Sequence, residues 1–125
     1  MLFPFAMAES PFKDSLTLQR RREISAKILA THNDKVPVIV NAAVASLPQL
    51  QKQKFLAPKH FTMAQFISEM LDQLPVDGTM HMCFFVGKGV AAMPAQLMQQ
   101  IYEQYKDEDG FLYVTYNEHK TYGGR

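Results

Sequence analysis

Asp107-Glu108-Asp109-Gly110-Phe111-Leu112-Tyr113-Val114-Thr115-Tyr116 is the stretch on which the reading of the fold rests. From Phe111 to Tyr116 every residue is aromatic, aliphatic or β-branched, the composition of a buried strand. The four residues ahead of it read as the turn that feeds that strand. Beyond it, Asn117, Glu118, His119, Lys120 and Thr121 are polar and cannot extend a core. Tyr122, Gly123, Gly124 and Arg125 follow. Paired glycines weaken folded structure and leave a thin, extensible backbone. Such an end suits the narrow active site of another protein, although taken alone it is more commonly a frayed terminus.

The rest of the composition bounds the function. At 125 residues and 47% hydrophobic, the chain has room for one domain with one core. A net charge of +1 gives no general attraction to nucleic acid. The charge is nevertheless uneven. Residues 1–60 hold nine Lys/Arg against four Asp/Glu, and residues 61–125 hold four against eight. The front half therefore favours acidic peptides or headgroups, or is a solvated basic face. A single cysteine, Cys83, excludes an intramolecular disulfide and fits a reducing compartment. No apolar run approaches the ~20 residues that span a bilayer. Met1 to Glu9 lacks a basic start and is broken by Pro4, so it does not read as a signal peptide. These features predict a cytoplasmic protein whose membrane contact is acquired.

Along the chain, residues 1–14 read as a flexible arm, with Pro4 and Pro11 discouraging a long helix. Asp14 or Ser15 is expected to cap a helix running to about Thr31. Its apolar stripe is Leu16, Ile24 and Ile28, with Arg21, Arg22 and Lys27 off the stripe. Lys35 to Val40 predicts a strand in which Pro37 cannot donate to a ladder, so that its amide side faces a gap or groove. Lys52 to Pro58 predicts a second strand. Lys52, Lys54 and Leu56 share one face, Gln53, Phe55 and Ala57 the other, and lysines there suit a protected sheet edge. Thr62 is expected to cap a helix from Met63 to about Leu74, with Phe66, Ile67, Met70, Leu71 and Leu74 inward. Met80 to Val86 predicts a strand, Gly87-Lys88-Gly89 a turn, and Pro94 to Tyr105 a helix with Leu97, Met98, Ile101 and Tyr105 inward. The order helix, β, β, helix, β, helix, β is α+β and describes a ubiquitin-like β-grasp with an added N-terminal helix. The expected organisation is a flexible arm over 1–14, a ubiquitin-like domain over 15–116 and a flexible tail over 117–125.

These pieces resemble a known family. Arg20-Arg21-Arg22 with Lys27-Ile28, Asp34 to Val40, Lys54 to Pro58, Phe61-Thr62, Gln65-Phe66, Phe84-Phe85-Val86, Ile101-Tyr102-Glu103 and Lys106 to Tyr113 match in order and at nearly constant spacing. Together they resemble the autophagy-related ubiquitin-like modifiers, the GABARAP and light-chain-3 group, over about residues 18–123. Four departures stand out. The N-terminal arm is longer, Ile24 stands where members usually carry Glu, Lys35 stands for Arg, and Glu69, Asp72 and Gln73 replace a basic run.

The resemblance implies a modifier, not an enzyme, with no cofactor. By it, a cysteine protease cuts at the Gly123–Gly124 end, and ubiquitin-like activating and conjugating enzymes pass Gly123 (alternatively Gly124) to phosphatidylethanolamine on the autophagosome membrane. It also implies a groove that binds aromatic-x-x-aliphatic peptides of cargo receptors and adaptors by strand addition. Mapped by position, the aromatic pocket is Ile28, Pro37, Lys54, Leu56 and Phe111. The aliphatic pocket is Phe55, Ala57, Pro58, Phe61 and Phe66, with Lys52 near acidic flanks of the motif. Read from the residues alone, the apolar members are ordinary core. The alternative is a ubiquitin-like binding module that is never conjugated. The protein is expected to be a monomer that binds no nucleic acid. His32, His60 and His119 show no metal-ligand spacing. His81 and Cys83 fall two apart on one strand face, a spacing open to a metal or a Cys/His pair, but Cys83 reads as a buried structural cysteine. No metal site is expected and no catalytic constellation is found.

Overall fold

The computed structural model describes residues 3–4, 12–75 and 81–118. The elements in chain order are β1 (Phe3–Pro4), α1 (Phe12–Ser15), α2 (Leu18–Thr31), β2 (Lys35–Ala42), β3 (Lys54–Pro58), α3 (Met63–Gln73), β4 (Met82–Val86), β5 (Val90–Ala91), α4 (Met98–Tyr105) and β6 (Leu112–Glu118). The strands form one sheet in the order β1-β3-β2-β6-β4-β5. β2 and β3 are antiparallel, with Val36 opposite Ala57 and Val38 opposite Phe55. β2 and β6 run parallel at the centre from Val38↔Leu112 to Ala42↔Tyr116. This is the α+β ubiquitin-like grasp with N-terminal helices.

The alternation along each strand divides the core between the two sheet faces. Val36, Val38 and Val40 of β2, Phe55 and Ala57 of β3, and Leu112, Val114 and Tyr116 of β6 pack with Phe66 and Met70 of α3 and Met98, Ile101 and Tyr102 of α4. On the other face Phe12, Ile39 and Phe111 make a smaller core, against which Leu16, Ile24, Ile28 and Tyr113 pack. The first cluster is the domain's main hydrophobic core. The second fastens the N-terminal helices to the sheet.

Several expectations change. The first helix is two helices, because the Thr17 hydroxyl caps α2 by accepting from the Arg20 amide at 3.1 Å. Phe3–Pro4 and Phe12–Ser15 are regular elements inside the stretch read as a free arm. β6 extends to Glu118, with Asn117 opposite Cys83. α4 starts at Met98, not Pro94. Gln100 accepts from the Leu97 amide at 3.0 Å, which ends the helix there and leaves Leu97 exposed. Leu71 is also exposed, and Tyr102 is buried where Leu97 was expected. Pro37 lies one residue before the β2–β6 pairing begins, so no rung of that ladder is lost. Met80 and the Asp77-Gly78 turn fall outside the described residues.

Candidate functional site

The turn Asp107–Phe111 is held from three sides. Its own backbone closes through Gly110 N–H to the Asp107 carbonyl at 2.9 Å and Asp107 N–H to the Phe111 carbonyl at 2.8 Å. Asp109, fully buried, accepts from Arg21 Nη1 at 2.6 Å, the Tyr113 hydroxyl at 2.6 Å and the Phe111 amide at 2.9 Å. Ser25 Oγ donates to the Asp109 carbonyl at 2.6 Å, and the Tyr102 hydroxyl to that of Gly110 at 2.7 Å. Lys13 of α1 pairs with Asp107 at 2.7 Å.

A buried carboxylate is tolerated only when fully paired, and Asp109 is. Burial disfavours the Arg21 charge, but Asp109 and Tyr113 more than offset that and raise its pKa. Burial, reinforced by Asp109, pushes the Tyr113 hydroxyl far above its usual value. Arg21, expected on the basic outer surface, therefore points inward as a structural tie. Arg20 and Arg22 remain exposed, paired with Glu23 at 3.2 Å and Glu108 at 3.8 Å.

This clasp seats Phe111 at the bottom of the face beneath α2. Ile28 and Phe111 share the smaller core, and Pro37 lies opposite Leu56 across the β2–β3 pair. Lys54 stands on the same strand face as Leu56, its ammonium 5.8 Å from the centre of the Phe12 ring. Ile28, Pro37, Lys54, Leu56 and Phe111 thus converge on the sheet face covered by the N-terminal helices. Phe12 sits among them, 4.9 Å edge-on to Phe111. Sequence reasoning missed Phe12; its only signal was an aromatic residue directly after Pro11, flanked by the polar Glu9, Ser10, Lys13 and Asp14.

The second set divides differently. Phe55, Ala57 and Phe66 belong to the main core, fully buried, and Phe61 packs against its edge. Pro58 closes β3 opposite Lys35. Lys52 is exposed, two residues ahead of β3. Lys54 was read as an exposed edge lysine but is 5% exposed, since its stem lies in the sheet and its head over Phe12. β3 is the penultimate strand, with β1 on its outer side over Phe55 and Leu56.

Gly123, Gly124 and His119 lie outside the described residues. Among the described residues no group of three or more His, Cys, Asp and Glu is placed to hold a metal ion. No helix there is long and apolar enough to cross a membrane.

Comparison with known proteins agrees with this architecture. The family described as autophagy protein Atg8, ubiquitin-like, matches residues 19–123. Autophagy-related protein 8D of Oryza sativa subsp. japonica is 39% identical over 119 residues, covering 94% of this chain and 100% of its own. Autophagy-related protein 8 of Dictyostelium discoideum is 36% identical over 115 residues, covering 91% and 94%. The crystal structure of Trypanosoma brucei ATG8 superposes with a TM-score of 0.80 at 30% identity, over 93% of this chain and 100% of that one. With its β-grasp, its N-terminal helices and a match running from α2 into the tail, the chain belongs to the Atg8 family of ubiquitin-like autophagy proteins.

Proposed function

We propose that this protein is a membrane-conjugated modifier that gathers autophagy partners through the β3 side of its sheet. A cysteine protease cuts after Gly123, and activating and conjugating enzymes carry that residue as a thioester. The amine of phosphatidylethanolamine attacks the glycine carbonyl, an amide forms and the enzyme thiol leaves. Cleavage after Gly124 is the alternative. Partners with aromatic-x-x-aliphatic motifs add a strand to β3, the backbone supplying affinity and the flanking apolar side chains selectivity. The protein itself performs no catalysis in this scheme.

The observation that carries the reading is the convergence of Ile28, Pro37, Lys54, Leu56 and Phe111 beside a strand near the sheet edge, in a chain of the Atg8 family. The conjugation step is tested by intact mass of protein recovered from membranes. A phospholipid adduct on Gly123, abolished by Gly123→Ala, is the expected result. An unmodified protein in that fraction refutes conjugation. The groove is tested by titrating an aromatic-x-x-aliphatic peptide into labelled protein, with resonance shifts expected along Lys54–Pro58. Shifts confined to another face refute the groove.

A further inference from the structure

The strand a partner would pair with already has a neighbour. β1 lies antiparallel on the outer side of β3, with Phe3 opposite Leu56 and Pro4 opposite Phe55. Without β1, β3 would be the outermost strand on that side of the sheet. The second observation is independent of the first. Phe12, from the same N-terminal stretch, is 1% exposed and packs among the residues assigned to the aromatic pocket, edge-on to Phe111 and beneath Lys54. One stretch of chain therefore covers the backbone edge and also places a ring in the adjoining cluster.

We propose that the N-terminal arm is an internal competitor for the peptide groove, and that a partner binds by displacing β1 from β3. This rests on the groove reading above. Strand addition needs an unpaired edge, and a chain's own strand satisfies that edge as well as a foreign one. The composition fits, since Met1-Leu2-Phe3-Pro4-Phe5-Ala6-Met7 is an apolar run, the chemistry of an aromatic-x-x-aliphatic ligand.

The arm is also well tethered. Only residues 5–11 separate Pro4 from the anchored Phe12. A short tether holds a weak segment at an effective concentration in the mM range. The pairing spans two residues, whereas β3 has five, so Lys54, Ala57 and Pro58 are not opposite β1. An incoming peptide can engage those positions first and then replace the arm. The arm thus sets a threshold for binding without sealing the site.

The test compares the full chain with the same chain carrying Leu2→Ser, Phe3→Ser and Phe5→Ser. A fluorescent aromatic-x-x-aliphatic peptide is titrated into each, with circular dichroism to confirm folding and amide exchange followed along β3. Apparent affinity scales with the fraction of molecules that are open, so with the arm seated in about nine molecules of ten the variant binds roughly tenfold tighter. Its β3 amides should also exchange faster. The difference should be the same at low and high protein concentration, as it is within one chain. A difference that grows with concentration means arms are exchanged between copies and overturns the proposal. Equal affinities, with peptide shifts on β3 in both proteins, overturn self-occupancy while leaving the groove reading intact. Failure of both folded proteins to bind overturns the groove reading and this inference with it.

Discussion

Replacing Gly110 by Ala probes the contact that joins the turn to α2. Gly110 has φ +88°, a conformation costing a residue with a Cβ about 1–2 kcal/mol. The added Cβ would stand 2.3 Å from Ser25 Oγ and 2.9 Å from Ser25 Cβ. Swinging the hydroxyl aside gives up its bond to the buried Asp109 carbonyl, worth about 1 kcal/mol. The Cβ of Ser25 cannot swing aside, so α2 must shift, a strain of about 1–2 kcal/mol by analogy with overpacked cores. The expected total is about 3–5 kcal/mol. Ser25→Gly removes both clashing atoms, so in that background Gly110→Ala should cost only the backbone strain, about 1–2 kcal/mol. The chain has no Trp, so urea unfolding followed by far-UV circular dichroism is the assay. A cost below about 1 kcal/mol in the parent, or the same cost in both backgrounds, refutes the reasoning.

Three further perturbations test the side-chain pairs and the buried tyrosine hydroxyls. Asp109→Asn leaves the Arg21 guanidinium, 12% exposed, without its counter-charge and should cost about 3–5 kcal/mol in urea unfolding; a change under 1 kcal/mol would show the pair to be dispensable. Burial raises the hydroxyl pKa of Tyr102, Tyr113 and Tyr116, so the folded form holds protons that the unfolded form loses as pH rises past about 10. Stability should fall through that range, and tyrosinate absorbance from these three should appear only together with unfolding. At the acid end, burial works against the Asp107 charge, but Lys13, the Asp109 amide and Arg21 outweigh it and lower the pKa. That contribution is present above about pH 4 and is lost as pH falls through the folded value. Lys13→Met should flatten the acid limb of the stability profile by up to about 1 kcal/mol, and an unchanged limb argues that the pair contributes nothing.

Local chemistry was legible where it acts locally. The Thr62 cap and the apolar spacing of Phe66, Met70 and Leu74 placed α3 almost to the residue, since capping and periodicity are short-range signals. The runs around Val38, Phe84 and Val114 read as strands because interior strands are apolar throughout. What escaped depends on distant partners. Arg21 looks like its neighbours Arg20 and Arg22 until Asp109 is brought beside it. Lys54 reads as an exposed edge lysine until Phe12 arrives beneath it. β1 is two residues, one of them proline, and has no strand signature of its own. Of the candidate site, the residues themselves read as ordinary core and only the family resemblance singled them out, and neither signal pointed to Phe12 beside Phe111.

The parallel pairing of β2 with β6 has a consequence for the newborn chain. Val38 and Leu112 are neighbours in the finished sheet, yet the three strands and two helices described between them leave the ribosome before Leu112 does. Once β4 has been made, the nascent chain carries β2 and β4 with the slot between them empty, each with unsatisfied amides and carbonyls along one side. Early collapse of the hairpin and α3 cannot close it, because the missing piece is the last strand made. This strand order predicts folding by insertion, in which a late segment slides between two waiting partners and the loop-closure entropy is met in a single step. A pause in synthesis shortly before Phe111 would prolong the one state in which another copy's strand could take the vacant place.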